Sequence, residues 1–313
     1  MMIDGFTREQ LAGVWSATPT PLNLDLTLDV DSIRPMVEHH LKLDIRGLFI
    51  AGSCGEGPWL PTADRRELVR EIARHAQGKI AMAVQVTDNS AARIIENIHQ
   101  AAQDGADMVV IAQPFFLLNA TPENLRALYL DALEASPLPV GIYDLGERGP
   151  RCIPEKVMSE VYRHPKVAMV KDSSGDPSRR DMALAARDDR PELLLLDGDE
   201  FHCVEYMAAG YDGLLLGGGI FNGAMAWEII RAVQAGDLDR ADQVQERMNR
   251  IMWDVYGGKD ISCWLSGQKR LLVGMGIFRT WRNHLNYPLT ESCEQAIEKV
   301  LEQDADVLFP WRQ

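Results

Sequence analysis

Lys171 is the residue whose type and position most directly suggest chemistry. It ends the apolar run 167–170 and is followed by the segment DSSGD. A cation at the end of a buried strand is unfavourable unless it is paired or neutral. An uncharged lysine amine can attack a ketone and form a Schiff base, so Lys171 is a candidate nucleophile. Taken alone, such a lysine is more often structural, lying at the rim of its strand or paired with Asp172.

Two further segments contain residue types that suit such a reaction. The turn GSCGEG at 52–57 follows an apolar run, and its backbone N–H groups can hold an anion, more readily a carboxylate than a phosphate. A simple glycine-permitted turn is the alternative interpretation. Tyr143 ends another apolar run, and its phenol can relay a proton at a breaking bond. Tyrosines of this kind more often cap a core with one hydroxyl partner.

A third candidate segment is the glycine run 217–219, which follows the last apolar run and precedes a helical pattern. In barrels this region often holds phosphate, so an isomerase or aldolase acting on a phosphosugar is a competing hypothesis. Glycines equally allow a backbone to approach a substrate or a neighbouring loop.

Eight short apolar runs, alternating with amphipathic stretches, must position these residues. Nearly continuous apolar character is typical of strands buried on both faces of a parallel sheet. Eight such β/α units predict a (β/α)8 TIM barrel, whose catalytic groups lie at the carboxyl ends of the strands. A doubly wound sheet is the alternative, but no GxGxxG turn follows an early strand. The predicted strands are 13–19, 47–53, 80–86, 108–114, 140–144, 167–171, 193–197 and 213–216.

Helical patterns separate these strands and continue after them. We expect residues 1–225 to form the barrel core. Residues 226–313 should form the last barrel helix and a C-terminal helical extension within the same structural unit. The predicted helices are 29–43, 62–75, 89–103, 121–135, 226–235, 238–256, 262–275 and 290–302.

Composition excludes several classes of protein. The chain has 313 residues and a net charge of −14, which argues against nucleic acid or an anionic membrane surface as a partner. No uncharged apolar run is long enough to span a bilayer, and residues 1–10 lack the apolar core of a signal peptide. The five cysteines are scattered, as expected for free thiols in the cytoplasm. No grouping has the spacing of a metal site, so we predict no metal.

Several of these motifs, taken in order, resemble the dihydrodipicolinate synthase / N-acetylneuraminate lyase family. They are GSCGE at 52–56, Tyr143, and VKDSSGD at 170–176. Further matches are TP at 18–19, QPFF at 113–116 and DGDE at 197–200. The resemblance covers nearly the whole chain from about Gly13, and the motifs are specific in combination.

The resemblance implies roles for individual residues. Lys171 matches the lysine that condenses with C2 of pyruvate or another 2-oxo acid, and Tyr143 matches the proton-relaying tyrosine. The backbone N–H groups of Ser53 and Cys54 match those that bind the substrate carboxylate. Arg148 stands where the synthases have an arginine that contacts a dicarboxylate substrate. Members need no metal and no dissociable cofactor, and they are typically homodimers or homotetramers.

The chain also departs from the synthase pattern. Phe116 occupies the position of a tyrosine that crosses to a neighbouring active site and completes a hydroxyl relay, and a phenyl ring cannot carry a proton. Cys54 replaces a threonine, and a thiol is a weaker hydrogen-bond donor. The run LGGGIFN at 216–222 resembles the sugar-acid dehydratase branch, so Gly217 and Gly218 are candidate substrate-binding positions.

We therefore predict a Schiff-base lyase or aldolase that acts on pyruvate or a related 2-oxo acid, by retro-aldol cleavage or dehydration of a hydroxy-2-oxo acid, and not a true dihydrodipicolinate synthase. The alternatives within the family are a 4-hydroxy-tetrahydrodipicolinate synthase and a 2-keto-3-deoxy sugar acid dehydratase. Outside this chemistry, the phosphosugar hypothesis and a non-catalytic 2-oxo acid sensor remain. The sensor is disfavoured because Lys171 and Tyr143 are both intact.

Overall fold

Eight parallel strands close into a barrel in the computed structural model, which describes residues 3–312. Each strand pairs with the next one in the chain, and β8 pairs with β1 to close the barrel. The predicted TIM barrel is thereby confirmed. The strands are β1 Gly13–Ala17, β2 Gly47–Ile50, β3 Ala81–Gln85, β4 Met108–Ala112, β5 Val140–Asp144, β6 Val167–Asp172, β7 Leu194–Asp197 and β8 Gly213–Leu216.

One α-helix follows each strand, a short helix precedes the barrel, and four helices form the C-terminal extension. Short 3-10 helices lie at Val30–Ser32, Gly146–Arg148 and Pro310–Arg312. The α-helices are α1 Arg8–Leu11, α2 Ile33–Lys42, α3 Thr62–Ala76, α4 Ala91–Gln103, α5 Pro122–Ala135, α6 Glu155–Arg163, α7 Pro177–Asp189, α8 Cys203–Ala209, α9 Gly219–Gln234, α10 Leu238–Tyr256, α11 Trp264–Gly274, α12 Glu291–Gln303 and α13 Ala305–Leu308.

Three sequence-based boundaries were wrong in an informative way. The first two strands end at Ala17 and Ile50, earlier than predicted, because the residues that follow are buried in loops without joining the sheet. The last barrel helix begins at Gly219, so the boundary at 225/226 falls inside α9. Glycine is required at 219 because a Cβ there would approach the Ser16 Cα to 2.8 Å, and the glycine run conceals the start of the helix.

The side chains of each strand alternate between two apolar layers. Trp15, Phe49 and Leu215 lie inside the barrel, while Val14 and Leu48 face the surrounding helices. The extension is continuous with this arrangement, because α10 packs against α9 and also against α11 and α12. No helix in the described part of the chain combines the length and apolar character that crossing a membrane requires.

His40 ties α2 to the barrel through two buried hydrogen bonds. Its Nδ1 lies 2.8 Å from the carbonyl oxygen of Met36, and its Nε2 lies 2.9 Å from the Ser16 Oγ. A carbonyl can only accept, so Nδ1 carries the proton and Nε2 accepts from the hydroxyl. Burial lowers the pKa of His40 to about 3, which keeps the folded ring neutral near pH 7.

This shift predicts a pH-dependent contribution to stability. Between pH 6.5 and pH 3 the unfolded chain protonates His40 and the folded chain does not, so acidification favours unfolding through this group. The contribution is complete above pH 6.5 and falls by roughly 2 kcal/mol by pH 5. We therefore expect the loss of unfolding free energy caused by His40→Gln to be about 2 kcal/mol smaller at pH 5 than at pH 7.5.

Urea titrations of both proteins at the two pH values measure this difference. His99→Gln is the matched control, because His99 is exposed on α4. Its effect should be the same at both pH values. An equal cost of His40→Gln at pH 5 and pH 7.5 would contradict the neutral buried ring.

Candidate active site

Strand alternation places Lys171 and Tyr143 side by side at the mouth of the barrel. Met169 lies in the interior layer and Val170 in the outer one, so Lys171 points inward. Ile142 likewise faces outward and precedes Tyr143, which belongs to the interior layer. The register of β5 and β6 pairs Tyr143 directly with Lys171, which brings the amine and the phenol to the same level.

The Lys171 amine lies among aromatic rings and has no charged partner. Its Nζ is 4.2 Å from the ring centroid of Tyr143 and 4.9 Å from that of Phe49. Within residues 3–312 the amine makes no hydrogen bond or ion pair, although the side chain is only 4% exposed. Asp172, the structural partner considered from the sequence, faces outward and accepts hydrogen bonds from Ser174 and Tyr211. The interpretation as a rim ion pair is therefore wrong.

The turn after β2 presents two backbone donors to the same space. The N–H groups of Ser53 and Cys54 donate no hydrogen bond within the described residues, and both residues line the cavity that contains Lys171. These amides are therefore free to donate to an anion in the cavity. Burial raises the pKa of Cys54 to about 12, so its thiol stays protonated and does not compete as a nucleophile.

A fully buried ion pair holds this turn in place from behind. Lys269 on α11 donates to Glu56, the acidic residue of the turn, and neither side chain has any exposed surface. The second Glu56 oxygen accepts from the His284 backbone N–H at 2.6 Å, and Lys269 also donates to the Arg282 carbonyl at 2.8 Å. Burial lowers the pKa of Lys269, and the charge of Glu56 opposes that effect. The extension thus fixes the geometry of the anion-binding turn.

Gly198 lies immediately after β7 and has no side chain. The space that this leaves is occupied by the side chains of Ser173 and Lys171. A Cβ at this position would come within 2.2 Å of the Ser173 Oγ and 2.7 Å of the Lys171 Cε. The Ser173 hydroxyl is therefore close to the lysine side chain. It is buried and has no hydrogen-bond partner within residues 3–312, so it can donate to a bound substrate.

The glycine segment after β8 is occupied by a carboxylate of the protein itself. The Gly218 N–H donates to Glu200 at 2.7 Å, and Tyr256 donates to the other oxygen at 3.1 Å. Burial raises the pKa of Glu200, although both hydrogen bonds oppose this shift. A phosphate at this helix start would have to displace Glu200, which argues against the phosphosugar hypothesis. Gly217 lines the cavity, but the Gly218 amide is already engaged.

Arg148 also lines the cavity, where it is part of a small charged cluster. Its Nη1 lies 3.2 Å from the Asp199 Oδ2, and the same carboxylate lies 3.2 Å from His202 Nδ1. The guanidinium additionally donates to the Ser173 carbonyl at 3.3 Å. Its side chain is half exposed, so it remains within reach of a second anionic group at the entrance of the site.

The structure does not bring Phe116 into this cavity. The Phe116 ring is 65% exposed and lies outside it, whereas the neighbouring Phe115 lines the cavity. The backbone N–H of Phe116 donates to Asn89, which holds the loop after β4 with this ring facing outward. Within one chain, therefore, Phe116 does not contact the cavity that contains Lys171. The predicted position of Phe116 against a neighbouring active site would require a second copy of the chain.

Several residues of the site were not assigned from the sequence. Lys269 lies on the buried stripe of α11 between Leu265 and Leu272, so a lysine at an apolar helical position was the available signal. Glu200 is the last residue of the motif DGDE at 197–200, but the motif alone indicated no role for its carboxylate. The cavity has a volume of about 1140 Å³, and three tryptophans on separate segments line it. Their convergence could not be inferred without the fold.

The arrangement combines an unpaired amine, an adjacent phenol and two free backbone amides in one cavity. Residues 3–312 contain no group of three or more His, Cys, Asp or Glu side chains placed to bind a metal ion. The groups present can attack a carbonyl carbon, hold a neighbouring carboxylate and transfer a proton.

Comparisons with known proteins identify a family that the chain resembles over most of its length. A sequence profile of the dihydrodipicolinate synthetase family matches residues 10–303. The chain is 30% identical over 206 residues to a 4-hydroxy-tetrahydrodipicolinate synthase of Xanthomonas campestris pv. campestris, covering 66% of this chain and 67% of that protein. It is 26% identical over 282 residues to an N-acetylneuraminate lyase of Enterobacter sp., covering 89% and 87% of the two chains.

Solved structures of other proteins share this fold. A dihydrodipicolinate synthase from Bacteroides thetaiotaomicron superposes with a TM-score of 0.84 at 26% identity, covering 93% of this chain and 98% of that one. Similarity therefore extends over the barrel and the helical extension together.

The Glu56–Lys269 pair leads to a prediction about stability. Lys269→Met leaves a buried carboxylate without its cation, so the free energy of unfolding should fall by about 3–5 kcal/mol. Replacing both partners by Glu56→Leu and Lys269→Met should recover most of that loss, because no charge remains buried. Guanidinium unfolding curves of the three proteins measure the effect.

Arg34→Met provides a matched control, since it breaks the exposed Arg34–Glu38 pair on α2. Its effect should stay below about 1 kcal/mol. A similarly small effect of Lys269→Met would show that the buried pair does not hold the turn.

Proposed function

The chain belongs to the dihydrodipicolinate synthetase family and is an enzyme of its lyase and aldolase class, and we propose that Lys171 forms a Schiff base with pyruvate or a related 2-oxo acid. The observation that carries this proposal is the unpaired Lys171 amine, 4.2 Å from the Tyr143 ring centroid and in one cavity with Ser53 and Cys54.

In the proposed reaction, the Lys171 amine attacks C2 of the 2-oxo acid and water leaves, forming a protonated imine. Cleavage of the C3–C4 bond sends its electron pair into the imine, while the C4 hydroxyl loses its proton to Tyr143 and becomes an aldehyde. Protonation of C3 and hydrolysis of the imine then release pyruvate. Loss of a C3 proton from the same imine gives instead an enamine, whose electrons expel the C4 hydroxyl; that group takes up a proton from Tyr143 and leaves as water.

The backbone amides of Ser53 and Cys54 would hold the substrate carboxylate during these steps. Binding this group next to the ketone fixes C2 relative to the amine, and such orientation lowers the barrier without any further chemistry. The Glu56–Lys269 pair keeps the two amides in place, because the turn cannot shift without moving a buried charge. Ser173, whose hydroxyl is unpartnered, would donate to the substrate beside Lys171.

A second candidate is 4-hydroxy-tetrahydrodipicolinate synthesis, the reaction named for the Xanthomonas relative. Arg148 favours it, because this side chain lines the cavity where a dicarboxylate substrate would need a cation. Phe116 argues against it, since the position lacks the phenol that a hydroxyl relay between neighbouring sites needs. We therefore rank the lyase or aldolase first.

Assembly into a homodimer or homotetramer remains a prediction. A single chain leaves Phe116 65% exposed and Leu118 76% exposed on the same loop. Large apolar side chains clustered in this way are typical of a contact surface. No organic cofactor is part of the proposal, because the imine forms on the protein itself.

Covalent trapping tests the Schiff base directly. Incubation with pyruvate and borohydride should add one reduced pyruvyl group, and peptide mass spectrometry should locate it on Lys171. Lys171→Ala should abolish both the adduct and turnover. Lys156→Ala, on the exposed surface of α6, should change neither. An adduct confined to surface lysines, with turnover preserved in Lys171→Ala, would overturn the assignment.

Proton transfer by Tyr143 is tested separately. Tyr143→Phe keeps the ring beside the amine and removes the hydroxyl, so kcat should fall by about 10²–10⁴ while the borohydride adduct still forms. Tyr129→Phe is the matched control, because the Tyr129 hydroxyl donates only to the Ala112 carbonyl in the outer layer. Turnover by Tyr143→Phe close to that of the unmodified enzyme would show that the phenol is structural.

A further inference from the structure

The cavity that contains Lys171 has a wall made of large aromatic side chains. We define the aromatic wall as Trp59 from the loop after β2, Phe201 from the loop after β7, Trp253 on α10 and Trp264 at the start of α11. These side chains come from four separate segments and converge on one space. At about 1140 Å³, the cavity exceeds the roughly 300–1,000 Å³ usual for ligand sites, so it holds far more than a pyruvate unit.

The members of the wall remain accessible in spite of their size. Trp59 is 43% exposed, and Phe201, Trp253 and Trp264 are only partly buried. Phe201 and Trp253 stack with their planes 15° apart, and Trp264 packs edge-on against Tyr287. The flexible Lys259 side chain lies over Trp253, with its Nζ 4.7 Å from the ring centroid. The aromatic surface that remains exposed in this concave site indicates a ligand that covers it.

Two polar side chains beside the wall, Glu200 and Asn249, already have hydrogen-bond partners within the protein. Both oxygens of Glu200 accept hydrogen bonds, from the Gly218 N–H and from Tyr256. Asn249 donates to the Phe201 carbonyl and accepts from Gln245. A polyhydroxylated substrate tail would have to replace these bonds, and a tail without hydroxyl groups would not.

We propose that the substrate half beyond C4 is a flat aromatic group, so that the enzyme cleaves 4-hydroxy-4-aryl-2-oxobutanoates to pyruvate and an aryl aldehyde. This substrate class rests on the Schiff-base function proposed above. The C3–C4 bond breaks, and the Tyr143 phenol accepts the C4 hydroxyl proton as it passes its own proton on to C3. Atoms balance without any oxidant or reductant. The aryl ring lies against Trp253 and its neighbours while the 2-oxo acid end stays at Lys171.

The proposal predicts a ranking of substrates. Pyruvate release, coupled to lactate dehydrogenase, gives kcat/KM for 4-hydroxy-4-phenyl-2-oxobutanoate, for 4-hydroxy-2-oxopentanoate and for 2-keto-3-deoxygluconate. Burial of the phenyl ring should favour the first substrate over the methyl analogue by roughly 10–100-fold. The polyol acid should be no better than the methyl analogue. Condensation of pyruvate with aspartate semialdehyde forms a fourth arm and should be slow.

Substitutions test whether the aromatic wall causes the preference for the phenyl substrate. Trp253→Leu should lower the ratio of phenyl to methyl kcat/KM by roughly 5–10-fold, because the ring loses an aromatic contact. Trp311→Leu is the matched control, since Trp311 packs on His39 and Lys42 outside the cavity and should leave the ratio unchanged. The ratio is used because a general loss of activity does not change it.

Borohydride trapping separates the two levels of the proposal. If pyruvate is trapped on Lys171 but the methyl or polyol acid is cleaved as well as the phenyl acid, the aromatic class is wrong and the Schiff base stands. If the semialdehyde is the best substrate by a wide margin, the enzyme is a synthase and the aromatic class is again wrong. Absence of both trapping and turnover overturns the proposed function and this inference together.

Discussion

The buried ion pair between Glu56 and Lys269 is the interaction on which the site most depends. It joins the turn after β2, which offers free backbone amides, to a helix of the C-terminal extension. If either residue moved away, the other charge would be left buried and unpaired, which is strongly unfavourable. The pair therefore fixes the distance between the turn and α11. The barrel supplies the reactive side chains, and the extension supplies the part that holds the turn against them.

A second constraint separates the carboxylates from the amine. Asp144, Asp172 and Asp197 occupy paired positions at the ends of β5, β6 and β7, all on the outer side of the barrel. Tyrosine hydroxyls, backbone amides and an arginine bind them there. Burial raises the pKa of Asp172 to about 6. Because strand alternation directs these acids away from Lys171, the amine is left without a partner in the described chain.

Much of this arrangement could be predicted from the sequence, because it depends on local patterns. Eight apolar runs correspond to eight strands, and the inward direction of Lys171 and Tyr143 follows from period-two alternation. The remainder depends on distant contacts. Glu56 and Lys269 are 213 residues apart, and the aromatic wall draws on four loops and helices. The start of α9 was missed because glycines open that helix, and the outward Phe116 ring depends on a loop contact with Asn89.

The same 213-residue separation has a consequence for synthesis of the chain. Ribosomes add about 5–20 residues per second, so roughly 10–40 s pass between the appearance of Glu56 and that of Lys269. Until then Glu56 has no Lys269 to pair with, so the turn lacks the contact that holds it in the folded protein. Lys171 and the amides of Ser53 and Cys54 are therefore all made before Lys269, the residue that holds the orienting turn in place. The anion-binding turn is therefore complete only after α11 has docked against the barrel.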